Sequence, residues 1–400
     1  MRFVLFYHSL VSDWNHPSAH MLRGVASELL ASGHAVRIFE PSDGWSLHNL
    51  REQGGDGVVK AFHSTYPTLR SSFYDPLTLD LDGALADADV VIAHEWNEPG
   101  FLRRLGEHRA RSRAYRLLFH DSPHSGARMS LEVRTQALQA FDGVLAASDA
   151  LRRTYREQDG PNRWTWRDAV DVRVFRPSPG EPALSRDLIW VGSWDVGERL
   201  GELDEFLIEP IRALGLRARF YGARYPQQAL RSLRSAGIEY GGWIPDFCVP
   251  AALSAARFTV HVPLRLRADG LPAHVPAMPV LQALACGVPV VTAPWDDCAE
   301  LFESEDDLLI GRNGPEMTRH LAALRSDPEF RQFVAANGYR TVMGRHTCAH
   351  RARELLSICR ELRVSDSRRR SQHDDPAAVL PVFPYRPPRG QLSHAPAAWN

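Results

Sequence analysis

The sequence predicts an α/β protein with two doubly wound domains, each built on a parallel sheet. In both halves of the chain, apolar runs of strand length alternate with amphipathic helical segments. A proline-rich segment at 171–182 interrupts this alternation near the middle. The chain has 400 residues, about twice the usual size of one domain. We therefore predict domains at 1–175 and 180–345, a helix at 346–363 and a loose tail at 364–400.

The composition is that of an ordinary globular protein and argues against several classes of function. Hydrophobic residues make up 44% and charged residues 24%, and the formal net charge of -1 disfavours a general nucleic-acid-binding surface. The five cysteines have neither CxxC nor zinc-site spacing, so we expect reduced thiols. The chain has no apolar run of membrane-spanning length and begins with a strand-like run instead of a signal-peptide pattern. We therefore expect a cytoplasmic protein.

The first domain opens with a βαβ unit. A strand is predicted at 2–8, a helix at 19–32 and a strand at 34–40, and the right-handed crossover makes the two strands parallel. Further strands are predicted at 89–95, 115–121 and 143–149. Four strands end in a polar residue, namely His8, His94, His120 and Ser148. Ligands bind beyond the carboxyl ends of strands in open parallel sheets, so these residues are candidates for a site.

The second domain repeats the alternation. Its predicted strands are 187–194, 217–223, 238–243, 258–264, 288–292 and 307–313. Its predicted helices are 201–214, 227–236, 249–256, 279–286, 315–325 and 328–338. After about Val364 the apolar periodicity is lost, and polar, proline-rich segments predict the loose tail.

Several segments resemble, in the same order along the chain, the GT-B glycosyltransferases. VLQALACGVPVVTAPWDDCAELFE is similar to the family's small-residue helix, glycine, P-V-V strand and acidic loop residue, and a DPE-x-R helix follows it. VGSWDVGERLGELDEFL resembles the first strand and loop of the family's nucleotide domain. WTWRDAVDVRVFRP resembles the family's approach to the linker. The closest likeness, over about residues 1–360, is to the bacterial CgeB-like (spore-maturation protein-like) glycosyltransferases.

The resemblance implies a fold of two Rossmann-like domains that face a cleft, with a C-terminal helix crossing back to the first domain. It implies a metal-independent transferase that takes a sugar from a nucleotide-sugar donor with retention of anomeric configuration. No resident cofactor is expected, because the nucleotide sugar is a co-substrate. The acceptor stays open among glycan, lipid, protein and small molecule, and no nucleic-acid partner is expected.

The donor site implied by the resemblance lies in the second domain. A diphosphate held without a metal needs backbone N–H groups, a helix N-terminus or arginine. Gly192 and Ser193 follow the first strand of this domain, and Arg199 lies in the loop or first helical turn beyond them. Met278 precedes a helix that starts near Val280. Alternatively, Gly192 serves only the turn and Arg199 lies on a solvated helix face.

Other donor-site positions depart from the family or have two interpretations. Gln282 stands where the family has a glutamate for the donor ribose, and His274 stands where it has a glutamate for the sugar. Glutamine can bond a diol but lacks the charge that strengthens the bond, and Gln282 is alternatively a polar residue beside a cleft. Glu300 matches an acidic residue that binds the ribose or caps the next helix. Trp243, with the glycines before it and Asp246 after it, resembles the base-recognition turn.

Three histidines of the acceptor domain are candidate catalytic residues: His20, His94 and His120. The ordinary pKa of histidine lies near neutrality, so the side chain can orient a sugar hydroxyl or act as a base. Each of the three is alternatively a structural histidine. A divalent-metal site of His120, Asp121 and His124 is a third interpretation, although the superfamily does not normally require a metal.

Two hypotheses about function stay open. The first is an active transferase. The second is a GT-B-fold pseudo-enzyme or partner subunit, because Gln282, Pro279 and His274 weaken the donor site relative to the family. An epimerase or a dinucleotide-dependent dehydrogenase is disfavoured, since no G-x-G-x-x-G follows a strand.

Overall fold

The computed structural model describes residues 1–14, 18–122, 138–155, 162–178, 185–194, 199–263, 278–295, 301–303 and 305–364, with backbone only at 199–200. Within these residues the chain forms two compact units. The first unit is Met1–Arg167 with the segment that starts at Cys348, and the second is Asp168–Thr347. Each unit contains a sheet whose described strand pairs are parallel. The predicted α/β class with two Rossmann-like parallel sheets is confirmed.

The first unit is built on a seven-stranded sheet. Its strands are Arg2–Phe6 (β1), Ala35–Pro41 (β2), Ser71–Tyr74 (β3), Val90–His94 (β4), Arg116–Asp121 (β5), Gly143–Ala146 (β6) and Asn162–Thr165 (β7). Its described helices up to β7 are Ser18–Ala31 (α1), Trp45–Thr65 (α2), Leu81–Leu85 (α3), Pro99–Arg111 (α4) and Asp149–Thr154 (α5). The strand order is β3-β2-β1-β4-β5-β6-β7, so the direction of winding reverses between β1 and β4. Such a switch point is where open α/β sheets bind ligands, beyond the carboxyl ends of the strands.

Aromatic side chains hold the centre of this unit together. The ring of Phe6 lies 5.1 Å from that of Phe39, 5.5 Å from Tyr74 and 5.0 Å from Phe101. The central strands β1 and β4 are almost wholly buried. Continuous apolar runs such as FVLF and VVIA are typical of parallel strands that are covered on both faces.

The strand ends differ from the prediction at two places. β1 ends at Phe6, so His8 lies in the following loop. β6 ends at Ala146, and Ser148 caps α5 instead, because its side chain accepts a hydrogen bond from the backbone N–H of Leu151. The sequence analysis also missed β3, β7 and α2. The helix α2 is interrupted at Gly55, whose φ of 61° is non-helical.

The second unit is built on a six-stranded sheet. Its strands are Arg186–Val191 (β8), Ala218–Tyr221 (β9), Glu239–Tyr240 (β10), Ala256–His261 (β11), Val290–Thr292 (β12) and Leu309–Ile310 (β13). Its described α-helices are Arg199–Leu203 (α6), Glu209–Leu214 (α7), Gln227–Ser235 (α8), Val249–Leu253 (α9), Met278–Ala285 (α10), Gly314–Ser326 (α11) and Pro328–Arg345 (α12), and the π-helix Asp204–Ile208 connects α6 to α7. The order β10-β9-β8-β11-β12-β13 again reverses beside the first strand, here between β8 and β11.

The proline-rich segment predicted as a linker belongs to the second unit as far as its last described residue, Ser178. Val170 and Phe175 are fully buried in the core of that unit. The backbone N–H of Val170 donates to the carbonyl of His346 at 2.9 Å. The first unit therefore ends at residue 167, earlier than the predicted boundary at 175, because the apolar residues of this segment enter the second core.

The helix Cys348–Glu361 (α13) packs on α1 in the first unit. Trp166 Nε1 donates to the carbonyl of Arg351 at 3.0 Å, and Trp164 Nε1 donates to the carboxylate of Glu361 at 2.9 Å. The chain thus returns to its first unit after completing the second. The predicted tail lies outside the described residues from 365 on. Among the helices described above, none combines the length and the apolar character of a membrane span.

Candidate active site

Glycines occupy the carboxyl ends of three neighbouring strands in the second unit. Gly192 follows β8, Gly222 follows β9 and Gly242 follows β10. The N–H of Gly222 donates to the carbonyl of Gly242 at 3.0 Å, so the strands stay paired beyond their ends. A Cβ atom on Gly222 would lie 2.0 Å from the carbonyl oxygen of Gly192. This close approach of backbones excludes any side chain at Gly222.

The predicted phosphate-binding turn divides into two residues with different roles. A Cβ on Gly192 would lie 2.7 Å from the ring of Trp190, and the N–H of Gly192 already donates to the carbonyl of Tyr221 at 3.0 Å. Packing and strand pairing therefore explain this glycine. The next residue, Ser193, is half-buried and forms no hydrogen bond with any described residue. Its N–H and hydroxyl are the groups of this turn that remain available to a phosphate.

The helix α10 presents its N-terminus at the same edge of the sheet. It forms the crossover between the parallel neighbours β11 and β12, so it runs opposite to the strands and begins at their carboxyl ends. Met278, its first residue, is 4% exposed, and Pro279 contributes no N–H. The first-turn N–H groups of Val280 and Leu281 have no intrahelical acceptor and carry the positive end of the helix dipole.

Gln282 does not face open solvent in this helix. Its side chain is 5% exposed, and its Nε2 donates to the Oδ1 of Asp246. Asp246 begins a short 3₁₀ helix, Asp246–Cys248, directly after the glycine turn of β10. Burial raises the pKa of the neighbouring Cys286 thiol to about 12, and the negative charge of Asp246 acts in the same direction. The carboxylate missing at 282 is thus present nearby, on Asp246.

Four other candidate positions of the donor site are Arg199, Trp243, His274 and Glu300. Arg199 begins α6, but its side chain is outside the described part of the chain. Trp243 follows Gly242 and is half-buried. Glu300 and His274 fall outside the described residues. Their roles stay predictions.

In the first unit, the structure brings His94 and His120 together. They are partners in the register of β4 and β5, and their ring centroids lie 5.0 Å apart. Tyr7 stacks on His94 at 4.8 Å, and its hydroxyl lies 2.8 Å from His120 Nδ1. The backbone N–H of Trp96 donates to His94 Nδ1 at 3.3 Å, so neutral His94 carries its proton on Nε2.

Burial limits what these histidines can do directly. The side chains of His94 and His120 are 0% and 1% exposed, and the ring of Trp166 covers His120 at 4.8 Å. His20 is also buried, in the first turn of α1. A general base must come within hydrogen-bond reach of its proton, so a catalytic role for any of them requires a substrate hydroxyl inside this cluster.

The alternative metal site is incomplete in the described part of the chain. Asp121 is fully buried and accepts a hydrogen bond from the hydroxyl of Tyr155 at 2.5 Å. His124, its predicted co-ligand, falls outside the described residues. Among the residues that are described, no group of three or more potential metal ligands comes together.

Solved glycosyltransferase structures share this architecture. HepE from Anabaena, in complex with UDP and glucose, is 15% identical with a TM-score of 0.64 and covers 90% of this chain and 100% of its own. A glycosyltransferase from Rickettsia africae is 12% identical with a TM-score of 0.64 and covers 91% and 99%. Sucrose-phosphate synthase from Thermosynechococcus elongatus is 14% identical with a TM-score of 0.61 and covers 92% and 100%. At these identities the likeness establishes the fold.

Family models match each half of the sequence separately. The model described as Glycosyltransferase Family 4 matches residues 18–174, and the model described as Glycosyl transferase-like matches residues 199–357. The chain is a GT-B glycosyltransferase. A search of curated proteins gives no significant match to this glycosyltransferase.

The structure also reveals an aromatic cluster that the sequence analysis missed. His8 follows β1, Trp45 follows β2 and Trp96 follows β4, and their ring centroids lie 4.9 Å (8 to 45), 5.4 Å (8 to 96) and 5.7 Å (45 to 96) apart. Trp14 meets Trp45 edge-on at 6.0 Å. We call Trp14, Trp45 and Trp96 the tryptophan platform. The signal in the sequence is that each tryptophan follows a strand, but the order of the strands is needed to place them together.

A buried polar network supports the loop that carries Trp14. Arg23, which is 0% exposed, donates through Nε and Nη2 to the carbonyls of Leu10 and Val11, both at 2.8 Å. Glu40 is 1% exposed and accepts a hydrogen bond from Ser9 Oγ at 2.7 Å. Burial raises the pKa of Glu40 and outweighs the opposing hydrogen bonds and the charge of Arg23.

Proposed function

We propose that this glycosyltransferase moves a sugar from a nucleoside-diphosphate sugar to an acceptor, with retention and without a metal, and that the second unit holds the nucleotide. One observation carries the proposal. Ser193 follows β8, and α10 follows β11, and these two strands flank the switch point of the second sheet. Ligands of doubly wound sheets bind at this place.

The groups at this switch point suit a diphosphate. The N–H of Ser193 and the first-turn N–H groups of α10 are donors, and the helix dipole adds positive potential. Arg199 would contribute a full charge from the first turn of α6. Supporting this choice, the solved structures of HepE contain UDP or UDP-glucose. We propose that these donors, instead of a divalent cation, stabilise the leaving group.

The ribose is proposed to meet the Gln282–Asp246 pair. Because the amide N–H of Gln282 donates to the carboxylate of Asp246, this contact also orients the carbonyl oxygen of Gln282. Asp246 supplies the negative charge that a glutamate at 282 would supply in the family. Trp243, three residues earlier, is proposed to lie beside the nucleobase, and Glu300 stays a second candidate for the ribose.

A pseudo-enzyme is the second candidate, and one feature of α10 favours it. Pro279 removes one N–H donor from the helix N-terminus at the proposed diphosphate site. A pseudo-enzyme of this kind would bind nucleotide weakly and transfer nothing. The assignment to the CgeB-like group, the bacterial origin, the cytoplasmic location and the catalytic roles of His20, His94 and His120 also stay predictions.

Titration calorimetry of the full chain with UDP, GDP and ADP tests the donor site. We expect one nucleotide to bind, in EDTA as in magnesium. Arg199→Met should weaken that binding by about tenfold or more, since hydrogen bonds to charged groups contribute about 1.5–3 kcal/mol. Arg212→Met is the matched control, because Arg212 lies in α7 and pairs with Glu209.

The outcomes separate the candidates. If none of the nucleotides binds, the proposed donor site is wrong. Binding without transfer or hydrolysis of the corresponding nucleotide sugars identifies the pseudo-enzyme. Loss of binding in EDTA contradicts metal independence, and inversion in the product, read by NMR of the anomeric proton, contradicts retention.

A further inference from the structure

The tryptophan platform lies at the switch point of the first sheet. Trp14 belongs to the loop after β1, and Trp96 to the loop after β4, the two strands between which the order reverses. Trp45 follows β2, the neighbour of β1 on the other side. Three indoles therefore meet at the position where a doubly wound sheet binds its ligand.

The platform is only partly buried in its unit. Trp14 is 8% exposed, whereas Trp45 and Trp96 are half-buried, so part of two large aromatic surfaces reaches solvent. The Nε1–H of Trp14 is buried and donates to no acceptor among the described residues.

The loop under the platform is held in one conformation at an energetic cost. Arg23 and Glu40 are buried ionisable groups, and burying such groups contributes little to stability on balance. Both bind the segment between His8 and Trp14, through carbonyl oxygens and through Ser9. Ser12 Oγ and Ser46 Oγ, 2.8 Å apart, connect this loop to the start of α2, which carries Trp45. A pre-organised surface of this kind loses less entropy when a ligand binds.

We propose that the tryptophan platform binds a neutral pyranose ring of the acceptor, so that the acceptor is a saccharide or glycoconjugate. The face of an indole is electronegative, and the axial C–H groups of a pyranose carry slight positive charge, so the two surfaces stack. The polar groups of an acceptor sugar would then lie at the rim. The inference names the acceptor class for the proposed transferase and rests on that proposed function.

The charges around the platform favour a neutral ligand. Asp43 lies two residues before Trp45 and Glu98 lies two residues after Trp96, whereas Asp13, before Trp14, is paired with the buried Arg23 at 3.6 Å. Asp43 and Glu98 are exposed. Carboxylates accept hydrogen bonds from sugar hydroxyls and repel phosphate, sulfate and nucleic acid.

Saturation-transfer NMR and calorimetry of the full chain with maltose, cellobiose and diacetylchitobiose test the platform. We expect at least one disaccharide to bind, with its ring C–H protons nearest the protein. Trp96→Ala and Trp45→Ala should each raise its Kd by about tenfold. Trp164→Phe is the control, because Trp164 is a half-buried tryptophan on β7 of the same unit and bonds Glu361. Melting curves check folding, and Trp45→Phe, which keeps a ring, should retain most of the affinity.

UDP titrations of the same variants separate this inference from the proposed function. If UDP binds but none of the three disaccharides does, the platform proposal is wrong and the donor site stands. If disaccharides bind equally to wild type, Trp45→Ala and Trp96→Ala, the sugar site lies elsewhere and the proposal is wrong. Tighter binding of cellobiose sulfate than of cellobiose contradicts a neutral ligand. Disaccharide binding that depends on the platform, in a protein that does not bind UDP, supports the platform and refutes the donor site.

Discussion

The hydrogen bond between Gln282 and Asp246 predicts that a glutamate at position 282 lowers the stability of the second unit. In the wild type, Gln282 Nε2 donates to Asp246 Oδ1, and the side chain at 282 is 5% exposed. Gln282→Glu replaces that donor with an acceptor and places two carboxylates against each other. At pH 7 the variant must keep two like charges in contact or bind a proton.

The loss of unfolding free energy can be estimated from the free energy of protonating the introduced glutamate at pH 7. A glutamate has an ordinary pKa of about 4.3, so protonating it at pH 7 costs about 3.7 kcal/mol. The protonated group can donate to Asp246 and restore the hydrogen bond, so this figure is the expected loss of unfolding free energy. For a unit of this size it lowers Tm by about 10 °C. The folded-state pKa of the introduced carboxyl is raised, so the deficit shrinks as pH falls, to about 1 kcal/mol at pH 5.

Thermal melts of Gln282→Glu, Asp246→Asn and the double variant at pH 5 and pH 7 check this reasoning. In the double variant the asparagine amide can donate to the glutamate, so most of the lost stability should return. Gln332→Glu is the control, because Gln332 is exposed on α12 of the same unit and its substitution should matter little. Wild-type stability of Gln282→Glu at pH 7, a deficit independent of pH, or no recovery in the double variant would each refute the contact.

Two further predictions concern the first unit. Asp142→Asn should lower the unfolding free energy by about 3 kcal/mol in urea denaturation, because the carboxylate of Asp142 receives two hydrogen bonds of 2.8 Å from the buried Arg109. Burial acts to raise the pKa of Asp142, but the hydrogen bonds from Arg109 and from the Leu117 N–H, with the charges of Arg109 and Arg116, together lower it, so this difference should vanish as pH falls through the folded-state pKa. Burial raises the pKa of Glu40, so the folded state keeps that proton at higher pH than the unfolded chain does, and stability should fall as pH rises above 4.5. Glu40→Gln should flatten that part of the urea-denaturation profile between pH 4 and 8, and an unchanged profile would contradict the assignment.

The apolar strands could be predicted from the sequence because burial on both faces leaves a continuous signal. β1 and β4 are nearly all apolar and buried, and their positions were predicted within two residues. The helix α2 has no such signal, since it contains Gly54, Gly55 and Gly57 and only four of its residues are buried. The boundary between the units was misplaced because prolines predict a linker, whereas in DVRVF Phe175 is buried and the two valines pack against the same core while partly buried.

The candidate sites were predicted only where a local pattern marks them. A glycine after a strand is visible in the sequence, and so is a histidine at a strand end. The partner of Gln282 is not, because Asp246 lies 36 residues away along the chain. The tryptophan platform joins residues that follow three different strands, and a local pattern does not show which strands are neighbours in the sheet.

The two sheets place opposite chemistry at equivalent positions. Each reverses its winding beside its first strand, so the loops after two neighbouring central strands form the ligand-binding edge. In the first unit these loops carry indole rings above a buried ionic network. In the second they carry glycines, Ser193 and the N-terminus of α10. An apolar aromatic surface suits a sugar ring, whereas backbone N–H groups without an intrahelical acceptor suit a phosphate anion. In the proposed function, each substrate of the glycosyl transfer therefore has a sheet edge whose chemistry disfavours the other, because indole faces repel anions and bare backbone offers a sugar ring little area for stacking.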